Sequence, residues 1–198
     1  MLYLYDEEKM NRFCTTGVLL LASAIFANAQ VAEFGIAGGL SKLSDKELGA
    51  GYELDDGWSM IFRLTVNNWV YMGQEFGYGY NRTKLNFGTQ SLGGMAIHQG
   101  FYNLLIYATP EGSRVRPFAT GGGHFSNFVP PGASATQGQG ENKFGVNYGG
   151  GIKVRVSEKF LFRVDVRQFM TGKPFGDFFP VSGSLRQNQY SAGLSFVL

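Results

Sequence analysis

The side chains whose types and spacing would support bond chemistry fall in one short string, His124-Phe125-Ser126-Asn127. On an extended backbone, residues i and i+2 share a face. His124 would then stand beside Ser126 as a general base beside a hydroxyl nucleophile. Glu141, across a long connection, would orient the imidazole. The same string suits a structural strand end, where the imidazole lines an interior or a membrane interface. That second reading takes precedence, so no catalytic residue is assigned and no enzyme activity is expected.

A larger set is ionic. Glu33, Glu75 and Asp165 share one parity of alternating runs with Arg63, Lys153, Arg155, Arg163 and Arg167. Opposite charges gathered on one face predict a buried salt-bridge network, because charges taken out of water must be paired. A gated ion path lined by the same groups is the alternative. Lys42, Lys46, Arg82, Lys84, Lys143, Lys173 and Arg186 fall in long polar connections, where they suit anionic phosphates. Phe175, Phe178 and Phe179, in the last connection, are apolar enough to mark a contact site. Packing of these loop aromatics over their own barrel is the equal alternative.

Composition removes other chemistry. Cys 1 and His 2 leave no material for a disulfide framework or a zinc site, so neither metal nor cofactor is expected. Gly121-Gly122-Gly123 lacks the Lys-Ser/Thr and helix of a phosphate-binding loop. Lys+Arg 17 against Asp+Glu 15, a net charge of +2, is too balanced for nucleic-acid binding.

Strands must position these groups. Charged residues are only 16%, aromatic residues 15%, and Gly 29 of 198, which favours β-structure. A mean hydropathy of −0.08 excludes a bundle of apolar helices. In residues 160–167, Phe160, Phe162, Val164 and Val166 alternate with Leu161, Arg163, Asp165 and Arg167. Tyr190, Ala192, Leu194, Phe196 and Leu198 likewise oppose Gln189, Ser191, Gly193 and Ser195. Val146, Tyr148, Ile152, Val154 and Val156 oppose Asn147, Gly149, Gly151, Lys153 and Arg155. Shorter alternations surround Phe34, Met60, Phe76 and Tyr102, and the segment 116–128 is the least regular. Period two over eight runs, each about 9 to 13 residues, matches strands that cross a bilayer at a tilt.

Short connections at 67–68, 109–114 and 157–159 alternate with long ones at 41–56, 81–94, 127–142 and 171–188. That asymmetry belongs to outer-membrane barrels, with short periplasmic turns and long external loops. The predicted fold is all-β, an eight-stranded antiparallel up-and-down transmembrane β-barrel over residues 30–198. Which face points inward separates this from a soluble, lipocalin-like carrier. Glycines crowd the polar face, as a narrow interior requires. A cation facing lipid would cost roughly 2–4 kcal/mol at mid-bilayer, which explains its confinement to one parity. Trp58, Trp69, Tyr71, Tyr80, Tyr107, Phe160 and Tyr190 fall near strand ends, where aromatic girdles sit. Gln74, His98 and Gln168 stand on the lipid parity as polar exceptions.

Residues 17–26 form one apolar run, and Ala27-Asn28-Ala29 follows it as a small-x-small cleavage site. A secretory signal peptide is predicted over 1–29, with Met10 a candidate true start and Cys14 lost on cleavage. With these strands, Arg163-x-Asp165-x-Arg167 after Tyr148-Gly149-Gly150-Gly151 resembles the small outer-membrane barrel family typified by the OmpA transmembrane domain and OmpX. The resemblance implies outer-membrane localisation and biogenesis through the barrel assembly machinery. The terminal Leu198 departs from the family's aromatic end, which shifts recognition to Phe196. No domain follows the last strand here, so attachment to peptidoglycan is not implied. His124-Phe125-Ser126-Asn127 also resembles the string of lipid A deacylases of the PagL type, but it lies two strands further from the C-terminus. The expected role is non-catalytic, envelope-structural or presenting surface loops. A barrel enzyme acting on lipid A, then a small channel, are the alternatives. Expected partners are outer-membrane lipid and lipopolysaccharide; the sequence names no extracellular partner.

Overall fold

A computed structural model describes residues 31–44, 46–49, 51–133, 140–174 and 183–198. The residues predicted as a signal peptide lie outside these. Among the described residues ten strands occur: β1 (Val31–Ser44), β2 (Glu47–Gly49), β3 (Tyr52–Leu54), β4 (Gly57–Trp69) and β5 (Met72–Phe87), then β6 (Gln90–Tyr107), β7 (Val115–Val129), β8 (Glu141–Arg155), β9 (Phe160–Gly172) and β10 (Ser184–Val197). Eight of them, all except β2 and β3, close into one antiparallel barrel. Successive barrel strands pair along the chain, and β1 pairs with β10 from Glu33↔Val197 to Ser44↔Arg186.

Period two decides which side chain enters the barrel. Arg163 and Asp165 are each 2% exposed, whereas Phe162 and Val164 between and beside them are 40% and 46% exposed. The same inversion runs around the cylinder, with Ile36, Met60, Phe76, Leu104, Ile152 and Leu194 outside. A soluble carrier would bury these side chains; an apolar outer wall over a charged interior requires lipid as its solvent. Trp58, Trp69, Tyr71, Phe160 and Tyr190 are exposed at strand ends as expected of a girdle, and Tyr80 is half-buried. Tyr107 departs from that expectation: it points inward and is 3% exposed.

Barrel strands run 13 to 18 residues, longer than a bilayer needs. The expected loop at 81–94 is instead a hairpin continuing β5 and β6, turning at Gly88, whose φ of 53° lies in the left-handed region. Its outward residues meet water, so apolar outward positions are no longer required and the polar composition imitates a loop. Within the expected loop at 41–56, β2 and β3 form a small hairpin, and β3 adds to the edge of β5 through Tyr52↔Phe87 and Leu54↔Leu85. The turn expected at 67–68 lies at 70–71. Asn67 keeps the inward parity of Arg63 and Thr65, while the ladder between β4 and β5 shifts register between Val66 and Trp69.

Glycines on the inner parity let the strands curve and the large cations fit. A Cβ on Gly149 would strike the Val166 carbonyl oxygen and crowd Arg167, whereas a Cβ on the outward Gly38 would meet nothing. Gly149→Ala is expected to cost about 1–3 kcal/mol, and Gly38→Ala to leave stability unchanged. Urea midpoints of the folded, heat-modifiable form in detergent measure both.

Candidate functional site

The interior is a stack of polar layers built from inward residues of all eight strands. At the periplasmic end Glu111 pairs with Arg116 and lies 3.6 Å from Arg155. The Arg116 guanidinium stands 3.6 Å from the centroid of the Tyr107 ring. Above this, four residues close a ring. Lys153 Nζ meets Glu33 Oε2 at 2.6 Å and donates to the Tyr107 hydroxyl at 2.9 Å. Tyr107 donates to Asn67 Oδ1 at 2.9 Å, and Asn67 Nδ2 donates back to Glu33 Oε1 at 2.9 Å.

The next layer holds two carboxylates among three guanidiniums. Asp165 accepts from Arg63 Nη2 at 3.2 Å, Arg163 Nε at 3.1 Å and Arg167 Nε at 3.0 Å. Glu75 takes Arg163 Nη1 on one oxygen and Arg167 Nη2 on the other, each at 2.5 Å. The positive excess is spread over other acceptors. Ser191 Oγ accepts from Arg63 at 3.0 Å, and Arg163 and Arg167 lie over the Phe118 and Phe101 rings. Asp165 and Arg163, and Asp165 and Arg167, are neighbours on one face of β9 because i and i+2 share it.

An amide layer follows. Asn81 donates to Gln99 at 2.7 Å and accepts from Gln187 and Gln189, while Gln99 donates to Gln187 at 3.0 Å. Toward the extracellular mouth the inner parity turns apolar. Leu43, Leu48, Leu54, Met95, Ile97, Phe128 and Leu185 form one buried cluster, with Tyr52 and Leu85 against it. Thus the hairpin of β2 and β3 supplies three of the side chains that close the mouth, Leu48, Tyr52 and Leu54.

Seven of the eight ionic residues singled out in the sequence enter this interior. Arg155 does not: it sits part-exposed at the periplasmic rim, where its Nη1 donates to the Glu158 carbonyl at 3.5 Å. One more step along β8 carries the same parity out of the barrel. Arg116, Glu111, Tyr107 and Asn67 were missed. The even positions Arg116, Phe118, Thr120, Gly122, His124, Ser126 and Phe128 do alternate inward, but the glycine triplet blurs the pattern.

His124 and Ser126 share the inner face of β7, as spacing predicts, but they are not joined to Glu141 as a triad. His124 Nε2 is 2.8 Å from Thr171 Oγ1 and its Nδ1 has no hydrogen-bond partner. Ser126 Oγ accepts from Gln99 Nε2 at 3.2 Å, and Glu141 pairs with Lys143 at 2.6 Å. The imidazole packs edge-on against Phe169, with ring centroids 5.1 Å apart. Phe175, Phe178 and Phe179 lie outside the described residues.

The three polar exceptions on the lipid face have a common explanation. Each is capped by an outward tyrosine of an adjacent strand. Tyr102 donates to Gln74 Oε1 at 2.9 Å, the Tyr78 hydroxyl lies 2.5 Å from His98 Nδ1, and Tyr148 donates to Gln168. A polar group that faces hydrocarbon needs such an internal partner.

The outer wall and paired interior define a transmembrane β-barrel with a filled lumen. The chain belongs to the outer membrane protein beta-barrel domain family, whose model matches residues 15–197, and it is a protein of the bacterial outer membrane. No curated protein matches it in sequence. Among solved structures it is similar to Neisserial surface protein A, at 14% identity and a TM-score of 0.60, covering 83% of this chain and 96% of that one. It is also similar to OprG from Pseudomonas aeruginosa, at 14% identity and TM-score 0.56, covering 86% and 98%. The attachment invasion locus protein Ail of Yersinia pestis is similar at 12% identity and TM-score 0.54, covering 85% and 98%. At these identities the likeness is one of fold.

Proposed function

We propose that the protein is a non-catalytic, non-conducting barrel that reinforces the outer membrane and presents its extended extracellular strands to a surface partner. The carrying observation is the closed interior. Between the ring around Glu33 and the apolar cluster at the mouth, the lumen is filled by hydrogen-bonded polar side chains and by the buried apolar set of Ala37, Ile61, Phe101 and Phe169. An eight-stranded barrel has room for little more. An ion path would have to break several buried pairs at once. The histidine, serine and glutamate that would form a triad each hold other partners, which also favours a structural role. In this reading residues 1–29 direct export, and Phe196 on β10 serves recognition by the assembly machinery.

Two measurements test it. In planar bilayers the purified barrel is expected to show no conductance steps, and Arg163→Glu, if it folds, no charge-dependent selectivity. Mass spectrometry of lipid A from cells producing the protein is expected to give one acylation pattern for wild type, His124→Ala and Ser126→Ala. Steps that respond to charge reversal establish a channel. Deacylation that both substitutions abolish establishes an enzyme.

A further inference from the structure

We propose that Arg82 and Lys84, beside Leu40 and Trp58 on the outer wall, bind the phosphorylated headgroup of an acylated sugar lipid in the outer leaflet. This rests on the membrane orientation of the proposed function. Arg82 and Lys84 are alternate residues of β5, so both point outward, and both are exposed. Register places Arg82 opposite Trp58 on β4 and Lys84 opposite Gly94 on β6. A recess of about 500 Å³ lies between them, lined by Leu40, Trp58, Arg82, Lys84, Ser91 and Gly94. The bare Gly94 lets the guanidinium lie against the wall, since a Cβ there would collide with Arg82 Nε and Cζ.

The recess spans a chemical boundary. Trp58 packs on Tyr80 with ring centroids 5.6 Å apart, and both belong to the aromatic girdle that marks the membrane interface. Leu40 and Trp58, 60% and 48% exposed, offer an apolar lower wall. Arg82 stands beside this wall, level with Trp58, and Lys84 and Ser91 lie further toward the tip of the hairpin, at headgroup depth. Among the described residues no carboxylate lies within ion-pair distance of Arg82 or Lys84. Asp56 borders the same recess but is already committed: its Oδ1 is 2.8 Å from Lys46 Nζ and accepts from the Leu43 amide at 3.1 Å. The Lys46 ammonium holds that carboxyl below the usual carboxylate range. Two neighbouring cations with no ion pair among the described residues, beside an apolar step, complement a phosphate carried on an acyl-bearing sugar. Inorganic phosphate would leave the apolar wall unused, and a glycerophospholipid with a single phosphate charge would leave one of the two cations without an anion.

The test is native mass spectrometry of the full chain in detergent, offered bisphosphorylated lipid A, its dephosphorylated form or phosphatidylglycerol in mixed micelles. Wild type is expected to retain bisphosphorylated lipid A about tenfold better than either other lipid. Arg82→Gln with Lys84→Gln removes that preference, while Arg82→Lys keeps part of it. Lys159→Gln, which removes one cation from the opposite turn, leaves it intact. Heat-modifiable migration confirms that each variant is folded. Equal retention of phosphatidylglycerol, full retention by the double variant, or an equal loss in Lys159→Gln overturns the site. Orientation is read separately, by labelling Lys84→Cys on intact cells with an impermeant maleimide. Failure to label there overturns the orientation, and with it the outer-leaflet ligand, whereas labelling without lipid retention overturns the site alone.

Discussion

Asp165→Asn is expected to lower the stability of the folded barrel by about 3–5 kcal/mol, read as a fall in the urea midpoint for loss of the heat-modifiable form. The substitution preserves shape, so no cavity contributes. What changes is charge: Arg63, Arg163 and Arg167 each donate to this carboxylate, and only Glu75 remains among the three. Arg63 suffers most, because among the described residues its one ion pair is with Asp165. Its guanidinium would stay buried without a counter-charge, which costs more than the pair itself contributes. Adding Arg63→Met to Asp165→Asn should therefore recover part of the loss. A stability within about 1 kcal/mol of wild type would mean that water, not Asp165, solvates the guanidiniums.

Val164→Arg is the complementary experiment, adding a cation next door but on the other parity. Val164 is 46% exposed, in the middle of β9, and faces lipid. An arginine there is expected to cost about 2–4 kcal/mol at the bilayer midplane, while Val156→Arg, at the periplasmic turn, costs about 0–1 kcal/mol. Folding titrations into lipid vesicles measure the two. Equal costs would show that the outer wall does not sense membrane depth.

The two substitutions sit on consecutive residues, and their contrast carries the main lesson about legibility. Arg163-x-Asp165-x-Arg167 against Phe162-x-Val164-x-Val166 can be read directly, because strand geometry assigns alternate residues to opposite faces whatever the partners are. That rule also placed His124 and Ser126 on one face. It carries no information on height along the barrel. Arg155 therefore kept the right parity but fell at the rim, and Tyr107, expected at the interface, lies inside. The segment 81–94 looked like a loop because outward residues above the membrane meet water and lose their apolar bias. Hydrophobic patterning reports the solvent around a strand, and it falls silent where that solvent changes.

Unaided, the amino-acid order determined the class of the protein: a barrel with apolar side chains outward and ionic ones inward. Period and burial cost are local quantities, so each strand declares them separately. Only tertiary structure decided which charges meet. Glu33 finds Lys153, and Arg63 finds Asp165, across 120 and 102 positions of chain. Such pairs depend on the register of every intervening strand and on the stagger with which the cylinder closes. The same closure carries the hairpin of β2 and β3 over the mouth and sets Arg82 beside Trp58. Those are properties of the ring as a whole, absent from any single strand.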